Sequence, residues 1–124
     1  MEEPVDITPE QMERYRRHAK EREAARQKQL IARRDHAWEL ARRAAELLKN
    51  EFNATRVVLF GSILHPELYH SHSDIDLAVW NIEHYYRAVA QILDLDPKIR
   101  FDLIPIEDAK PVIRELVEKE GIDL

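Results

Sequence analysis

Two stretches, Phe60-Gly61-Ser62 and Ser73-Asp74-Ile75-Asp76-Leu77-Ala78-Val79, decide how this chain folds. The first closes an apolar, β-branched run, Arg56 to Phe60, which reads as a buried strand ending on a glycine. The second alternates and reads as another strand through Trp80. On a strand, Asp74 and Asp76 share one face, about 6.6 Å apart, while Ile75, Leu77 and Val79 take the other. Strands disfavour aspartate, and adjacent carboxylates raise each other's pKa unless a cation lies between them. Hard oxygen ligands at this spacing suit Mg²⁺. A third strand, Phe101 to Ile106, repeats the oddity with Asp102, and its Pro105 points to an edge position or a strand end. If the two Asp-bearing strands are neighbours, three carboxylates meet. Three can hold two divalent ions roughly 3.5–4 Å apart, the arrangement that drives in-line phosphoryl transfer. Only two glycines occur in the chain, Gly61 and Gly121, so each is expected where the backbone needs one. Gly61 lets backbone N–H groups approach a phosphate, and the Ser62 hydroxyl can donate to the same group.

Outward from these strands the pattern is helical. Thr8-Pro9-Glu10-Gln11 has the form of a helix start: Thr as N-cap, Pro at the first position, Gln closing a capping box. No Gly or Pro interrupts residues 10–50, so one long helix, or two nearly in line, is expected. Its second half carries an apolar stripe, Ala37, Ala41, Ala44, Ala45, Leu48 and Phe52, suited to packing on a core. The first half is rich in Arg and Lys and is expected to project. Residues 63–69 read as a short helix limited by Pro66, and Glu83–Leu93 as a longer one. Asp108 is expected to cap a last helix running through Lys119, with Gly121 as its left-handed C-cap. The order is helix, then β-α-β-α-β-α: an α/β chain divided into a helical arm, 1–36, and a body, 37–124.

The chain's 124 residues fit one domain, 44 % hydrophobic and 35 % charged, with no cysteine. That excludes a disulfide scaffold, a thiolate metal site and a cysteine nucleophile. No apolar run approaches a membrane span, and the acidic start at Met1 does not read as a signal peptide, so a cytoplasmic protein is expected. The net charge of −5 conceals an asymmetry. Residues 12–49 hold twelve Lys/Arg against six Asp/Glu, whereas residues 50–124 hold seven against fourteen. The basic face reads first as a solvated helix and second as a nucleic-acid surface. A half-covered helix of this length is marginal alone, so self-association through it is expected. His65, His70 and His72 read as a polar loop rather than a zinc site, and the tyrosines and tryptophans as packing or surface residues.

Strand-Gly-Ser, a spacer, Ser-Asp-Ile-Asp-Leu-Ala-Val on a strand and a lone Asp on a later strand resemble the DNA polymerase β-type nucleotidyltransferase superfamily. The likeness is to its minimal, MNT-type members that pair with HEPN-domain toxins. It covers residues 37–124 and implies a small mixed β-sheet backed by helices, the polymerase β palm-like fold, here with a long N-terminal helix. It also implies that Gly61, Ser62 and Ser73 bind the nucleotide. Asp74 and Asp76 would bind two Mg²⁺ ions, with Mn²⁺ as the alternative, and Asp102 would bind the catalytic ion and help deprotonate the attacking hydroxyl. The reaction implied is transfer of AMP from ATP, or of another NMP, to a hydroxyl acceptor. That acceptor would be a tyrosine on a HEPN toxin encoded by the adjacent gene. Members often carry an arginine in a basic, Gly-containing turn soon after Gly-Ser; residues 63–72 here hold no Arg, Lys or Gly, and His65 is the nearest stand-in. That departure motivates the alternative of a non-catalytic nucleotide-binding antitoxin or regulatory subunit.

Overall fold

A computed structural model describes residues 6–124. The acidic start at Met1 lies outside these residues. One helix, α1, runs from Pro9 to Phe52, 44 residues or about 66 Å at 1.5 Å per residue. It opens as the sequence predicts. The Gln11 N–H donates to the Thr8 hydroxyl at 3.1 Å, and the Gln11 side chain accepts from the Thr8 N–H at 3.0 Å. It ends at Asn53, whose left-handed backbone (φ 58°) turns the chain into the sheet.

The sheet has four strands: β1 (Arg56–Phe60), β2 (Ile75–Trp80), β3 (Phe101–Pro105) and β4 (Ile122–Asp123), in the order β3-β2-β1-β4. β1 pairs antiparallel with β2 and β4, and β2 pairs parallel with β3, so the sheet is mixed. Pro105 accordingly lies on an edge strand, where its missing N–H leaves no ladder bond unmade. Between β2 and β3 runs α2 (Tyr85–Leu93), and α3 (Pro111–Glu120) follows β3.

Alternation along the strands separates two apolar layers. Val57, Leu59, Ile75, Leu77, Val79 and Leu103 pack with Leu40, Ala41, Ala44 and Leu48 of α1 and with Ala88 and Ile92 of α2. Val58, Phe60 and Ala78 take the other face, covered by Val117 of α3 and its neighbours Ile113 and Leu116. Burial of each leucine removes it from water at a gain of about 1.5–3 kcal/mol, and α1 contributes Leu40 and Leu48 fully buried. The stripe is fully covered only from Ala37 on, and Tyr15 and Ile31 on the arm are exposed. Among the described residues no helix is long and apolar enough to cross a membrane.

The structure corrects four local expectations. The segment after Gly61 forms only a three-residue 3-10 turn, Ser62–Leu64, because Pro66 removes a donor and holds His65 extended (φ −122°, ψ 94°). A left-handed His84 (φ 53°) delays α2 to Tyr85 rather than Glu83. Asp108 does not cap α3. It lies in a 3-10 turn, and α3 starts at Pro111 after an extended Lys110 with no side-chain cap. Gly121 is not left-handed (φ −65°, ψ 151°), and it opens into β4, a strand the periodicity does not announce.

Gly121 is required by space instead. A Cβ there would stand 2.4 Å from both the Val117 carbonyl oxygen and Val58 Cγ1. Gly121→Ala is expected to destabilise the protein by about 1–3 kcal/mol, since backbone and a buried valine must both move. Thermal unfolding checks this, and an unchanged melting temperature would contradict it.

Candidate carboxylate and phosphate corner

β1 delivers its last residue, Phe60, opposite Asp76 of β2, and Asp76 in turn lies opposite Asp102 of β3. Adjacent strands are about 4.8 Å apart, so Asp76 and Asp102 stand side by side on the same face. Asp74, two residues before Asp76, joins that face at the strand's start. The face is the one α3 covers, and the carboxylates occupy its uncovered end. The strand neighbourhood that the third aspartate needed is therefore present.

Gly61 follows at once. Its φ of 87° and ψ of −157° fall where essentially only glycine is stable. A Cβ there would lie 2.1 Å from Asp76 Oδ2, so the corner exists because the side chain is absent. The turn is held by backbone bonds: the Leu64 N–H donates to the Gly61 carbonyl at 3.1 Å and the His65 N–H to the Ser62 carbonyl at 3.0 Å. The Ser62 side chain makes no hydrogen bond among the described residues, which leaves its hydroxyl free to serve a ligand.

Electrostatics mark Asp76. Burial first, then the charges of Asp102 and Asp74, push its carboxyl up to about 6. None of the three aspartates is ion-paired with Lys, Arg or His among the described residues. Nor is any group of three His, Cys, Asp or Glu among those residues already closed at metal-ligating distance. The donor set still fits a hard divalent cation: three carboxylates on one face, one of them with its pKa raised by burial and then by its neighbours' charge, beside a glycine corner that a Cβ would fill.

Ser73, which the resemblance assigns to the nucleotide, spends its polar groups on its own turn. It is buried, its Oγ accepts the His70 N–H at 2.9 Å, and its own N–H donates to the His70 carbonyl at 3.0 Å. That turn sets where Asp74 enters the face. His65 is engaged by Glu120 at the end of α3: its Nε2 lies 3.1 Å from both of that side chain's carboxylate oxygens. Two arginines that local reading misses reach the same segment from α1. The Arg34 Nε–H donates to the Ile63 carbonyl at 2.7 Å, and Arg33 lies beside Tyr69. Their signal was present, since Leu30, Arg33 and Arg34 continue the stripe of Ala37 and Ala41 at helical spacing. A concavity of about 520 Å³ lined by Ile82, Tyr85, Tyr86, Pro105 and Glu107 opens at the opposite ends of β2 and β3, so it is separate from the carboxylates.

The family model described as polymerase beta, nucleotidyltransferase matches residues 42–124. Among solved structures, a chain of a mutant MntA toxin–antitoxin complex aligns at a TM-score of 0.55 and 19 % identity, over 67 % of this chain and 70 % of that one. A Shewanella oneidensis structure, described as a tri-AMPylated HEPN toxin in complex with an MNT antitoxin, aligns at 0.52 and 18 %, over 70 % of each chain. A toxin–antitoxin complex with AMP-PNP aligns at 0.50 and 23 %, over 62 % and 64 %. At these identities the likeness is one of fold. No curated protein matches. Because the matching model spans the whole sheet, both glycines and all three aspartates, the chain belongs to the polymerase beta nucleotidyltransferase family.

Proposed function

We propose that this protein is a Mg²⁺-dependent nucleotidyltransferase that moves AMP from ATP to a hydroxyl of a partner protein. The observation that carries this reading is the pairing of Asp76 with Asp102 beside a glycine corner that only a Cβ-less residue allows. Asp74 and Asp76 would hold both ions, and Asp102 would join them in holding one. Bound there, the ions would supply charge neutralisation to the phosphates. Gly61 and Ser62 hold the triphosphate through backbone N–H and hydroxyl, and Asp102 takes the proton of the attacking hydroxyl. The acceptor oxygen bonds to the α-phosphorus, and the bond from that phosphorus to the bridging oxygen breaks, with pyrophosphate leaving. Positioning and electrostatics do the work, with no covalent intermediate on the protein.

The acceptor class is suggested by the fold neighbours, one of which pairs an MNT antitoxin with an AMPylated HEPN toxin. On this reading the partner is a HEPN toxin from the adjacent gene, and modification of its tyrosine silences it. The full-length protein, labelled ATP, Mg²⁺ and the product of the neighbouring gene are expected to yield a labelled partner. Chelating the metal should abolish the label. Absence of label with metal present overturns the enzymatic reading.

A second reading has its own observation. No Lys or Arg lies in residues 62–73, and His65 is paired with Glu120, so the segment itself offers no cation to a triphosphate. A non-catalytic antitoxin would bind ATP by calorimetry, transfer nothing, and still neutralise its partner.

A further inference from the structure

We propose that the projecting half of α1 is a docking surface for double-stranded DNA, with Arg16, Lys20 and Arg22 on the phosphates. The inference is independent of the nucleotidyl-transfer reading. Residues 13–29 of α1 are exposed apart from Ala19, a free length of about 25 Å. Met12, Ala19 and Leu30 continue the line of Ala37 and Ala44 at helical spacing, so this line marks the front of the arm, the direction in which α1 faces the core. Charge divides about that line. Within about a quarter turn of it stand Arg16, Lys20, Arg22 and Arg26, against Glu23 alone. The back carries Glu10, Glu13 and Glu21, which balance Arg14, Arg17 and Lys28.

The acid on the front is already engaged. Glu23 pairs with Arg26 at 3.2 Å and accepts from Gln27 Nε2 at 3.1 Å. Arg16, Lys20 and Arg22 have no ion pair among the described residues. Arg16 and Lys20 stand four residues apart, as do Arg22 and Arg26, and like charges at that spacing destabilise a helix. A helix that needed only to be solvated would interleave acids, as the back does. The front keeps its bases together against helix stability, and a polyanion relieves their repulsion. The loop at the base of the arm shares one cleft with it through Pro66 and Tyr69 and another through Ser71, and there Glu67 is the only acid beside His70 and His72. The rest of the body is acidic, so a phosphate chain is drawn to the arm and repelled elsewhere.

The chemistry of the front also selects among polyanions. A second copy's arm would set bases against bases. An acidic protein face asks for an apolar centre, whereas this front is apolar only at its tip, Met12 and Tyr15. Single strands are held by rows of aromatic side chains, and Tyr15 stands alone. The deep, narrow major groove of A-form RNA excludes side chains. The major groove of B-form DNA, about 12 Å wide, admits a bare helix, and residues 13–29 have no neighbouring element to obstruct it.

The test is fluorescence anisotropy on the full chain with a labelled random-sequence DNA duplex, and with single-stranded DNA and duplex RNA of the same length. Three phosphate contacts predict a slope of about −2.7 for log affinity against log salt, a drop of about 40-fold from 50 to 200 mM. Replacing Arg16, Lys20 and Arg22 together by Gln is expected to weaken duplex binding at 50 mM salt about tenfold or more and to bring the slope close to zero. Replacing Arg14, Arg17 and Lys28 by Gln removes the same charge from the back and should change affinity less than about threefold. Arg22→Gln alone, with the slope reduced by about 0.9, carries the test should the triple variant lose helix by circular dichroism. Equal losses from the two triple variants would show a net-charge effect and overturn the inference. So would no binding of the DNA duplex, equal or tighter binding of single strands or duplex RNA, or displacement of the duplex by polyglutamate at equal charge, which would mark the face for an acidic protein. A dimer in sedimentation that the front triple variant dissolves would assign the face to a second copy and overturn it as well.

Discussion

Replacing Gly61 by alanine is expected to lower nucleotidyl transfer by about 100-fold or more while leaving a folded protein. Two independent costs meet at this position. The backbone sits at φ 87°, ψ −157°, which costs a residue with a Cβ about 1–3 kcal/mol. The added carbon would also stand 2.1 Å from Asp76 Oδ2 and 3.3 Å from Asp76 Cβ. The carboxylate oxygen can swing away, but Asp76 is a strand residue paired with both Phe60 and Asp102, so its Cβ cannot follow far. Relief must come from turning the carboxylate or opening the corner. Either move displaces a proposed metal ligand or the phosphate cradle by about an ångström, a misplacement that can cost on the order of 100-fold in rate. The sheet itself is anchored elsewhere, on Leu59, Leu77 and Leu103, so thermal unfolding should stay cooperative at a lowered midpoint. Label transfer within about threefold of wild type would show that the corner plays no part in the reaction.

Much of this geometry was legible because it rests on alternation. Asp74 and Asp76 must share a face opposite Ile75 and Leu77 once β2 exists, and the apolar run of β1 identifies its buried partner. What alternation cannot give is the neighbour relation of β2 and β3, which depends on the crossover through α2. The sequence leaves that relation open, and the resemblance implies only that Asp102 joins the other two. Capping chemistry is legible where side chains act, as at Thr8 and Gln11, and not where the backbone acts alone. At Asp108 a good capping residue loses to Pro111, whose ring sets the helix start. Gly121 reads as a left-handed cap, whereas its role is close packing against Val117 and Val58. Contacts between distant segments left the weakest trace. His65 reads as a free base beside Gly-Ser until Glu120, 55 residues later, is found against it. Arg33 and Arg34 read as solvated arm residues until the loop is found packed on them.

Asp76→Asn should abolish transfer and, in metal-free buffer at neutral pH, make the protein more stable than wild type. The sign follows from protonation. In the folded chain the Asp76 carboxyl is pushed up to about 6 by burial and by Asp102 and Asp74, against 3.8 for the free group. Between those values the folded state holds a proton that the unfolded chain has released. Stability from this group is therefore present in full below about pH 4 and is lost as pH rises toward 6. The two-unit difference sets an upper limit of about 3 kcal/mol, and solvent reaching the half-buried carboxylate reduces it to about 1–2 kcal/mol. Asparagine cannot ionise, so it removes both the loss and the pH dependence it produces. In EDTA at pH 7.5 the variant is expected to melt several degrees above wild type. At pH 4, where both carry a neutral side chain, the gap should close. On the proposed reading, addition of Mg²⁺ is expected to reverse the order, because an ion held by the three carboxylates would offset their repulsion in wild type and would find a weaker site in the variant. A variant that melts below wild type in EDTA at pH 7.5, or one whose midpoint rises with Mg²⁺ as much as wild type, would remove Asp76 from the centre of the site. A residue that costs stability where it stands and is needed for the reaction is the signature of a binding site held open for its ligand.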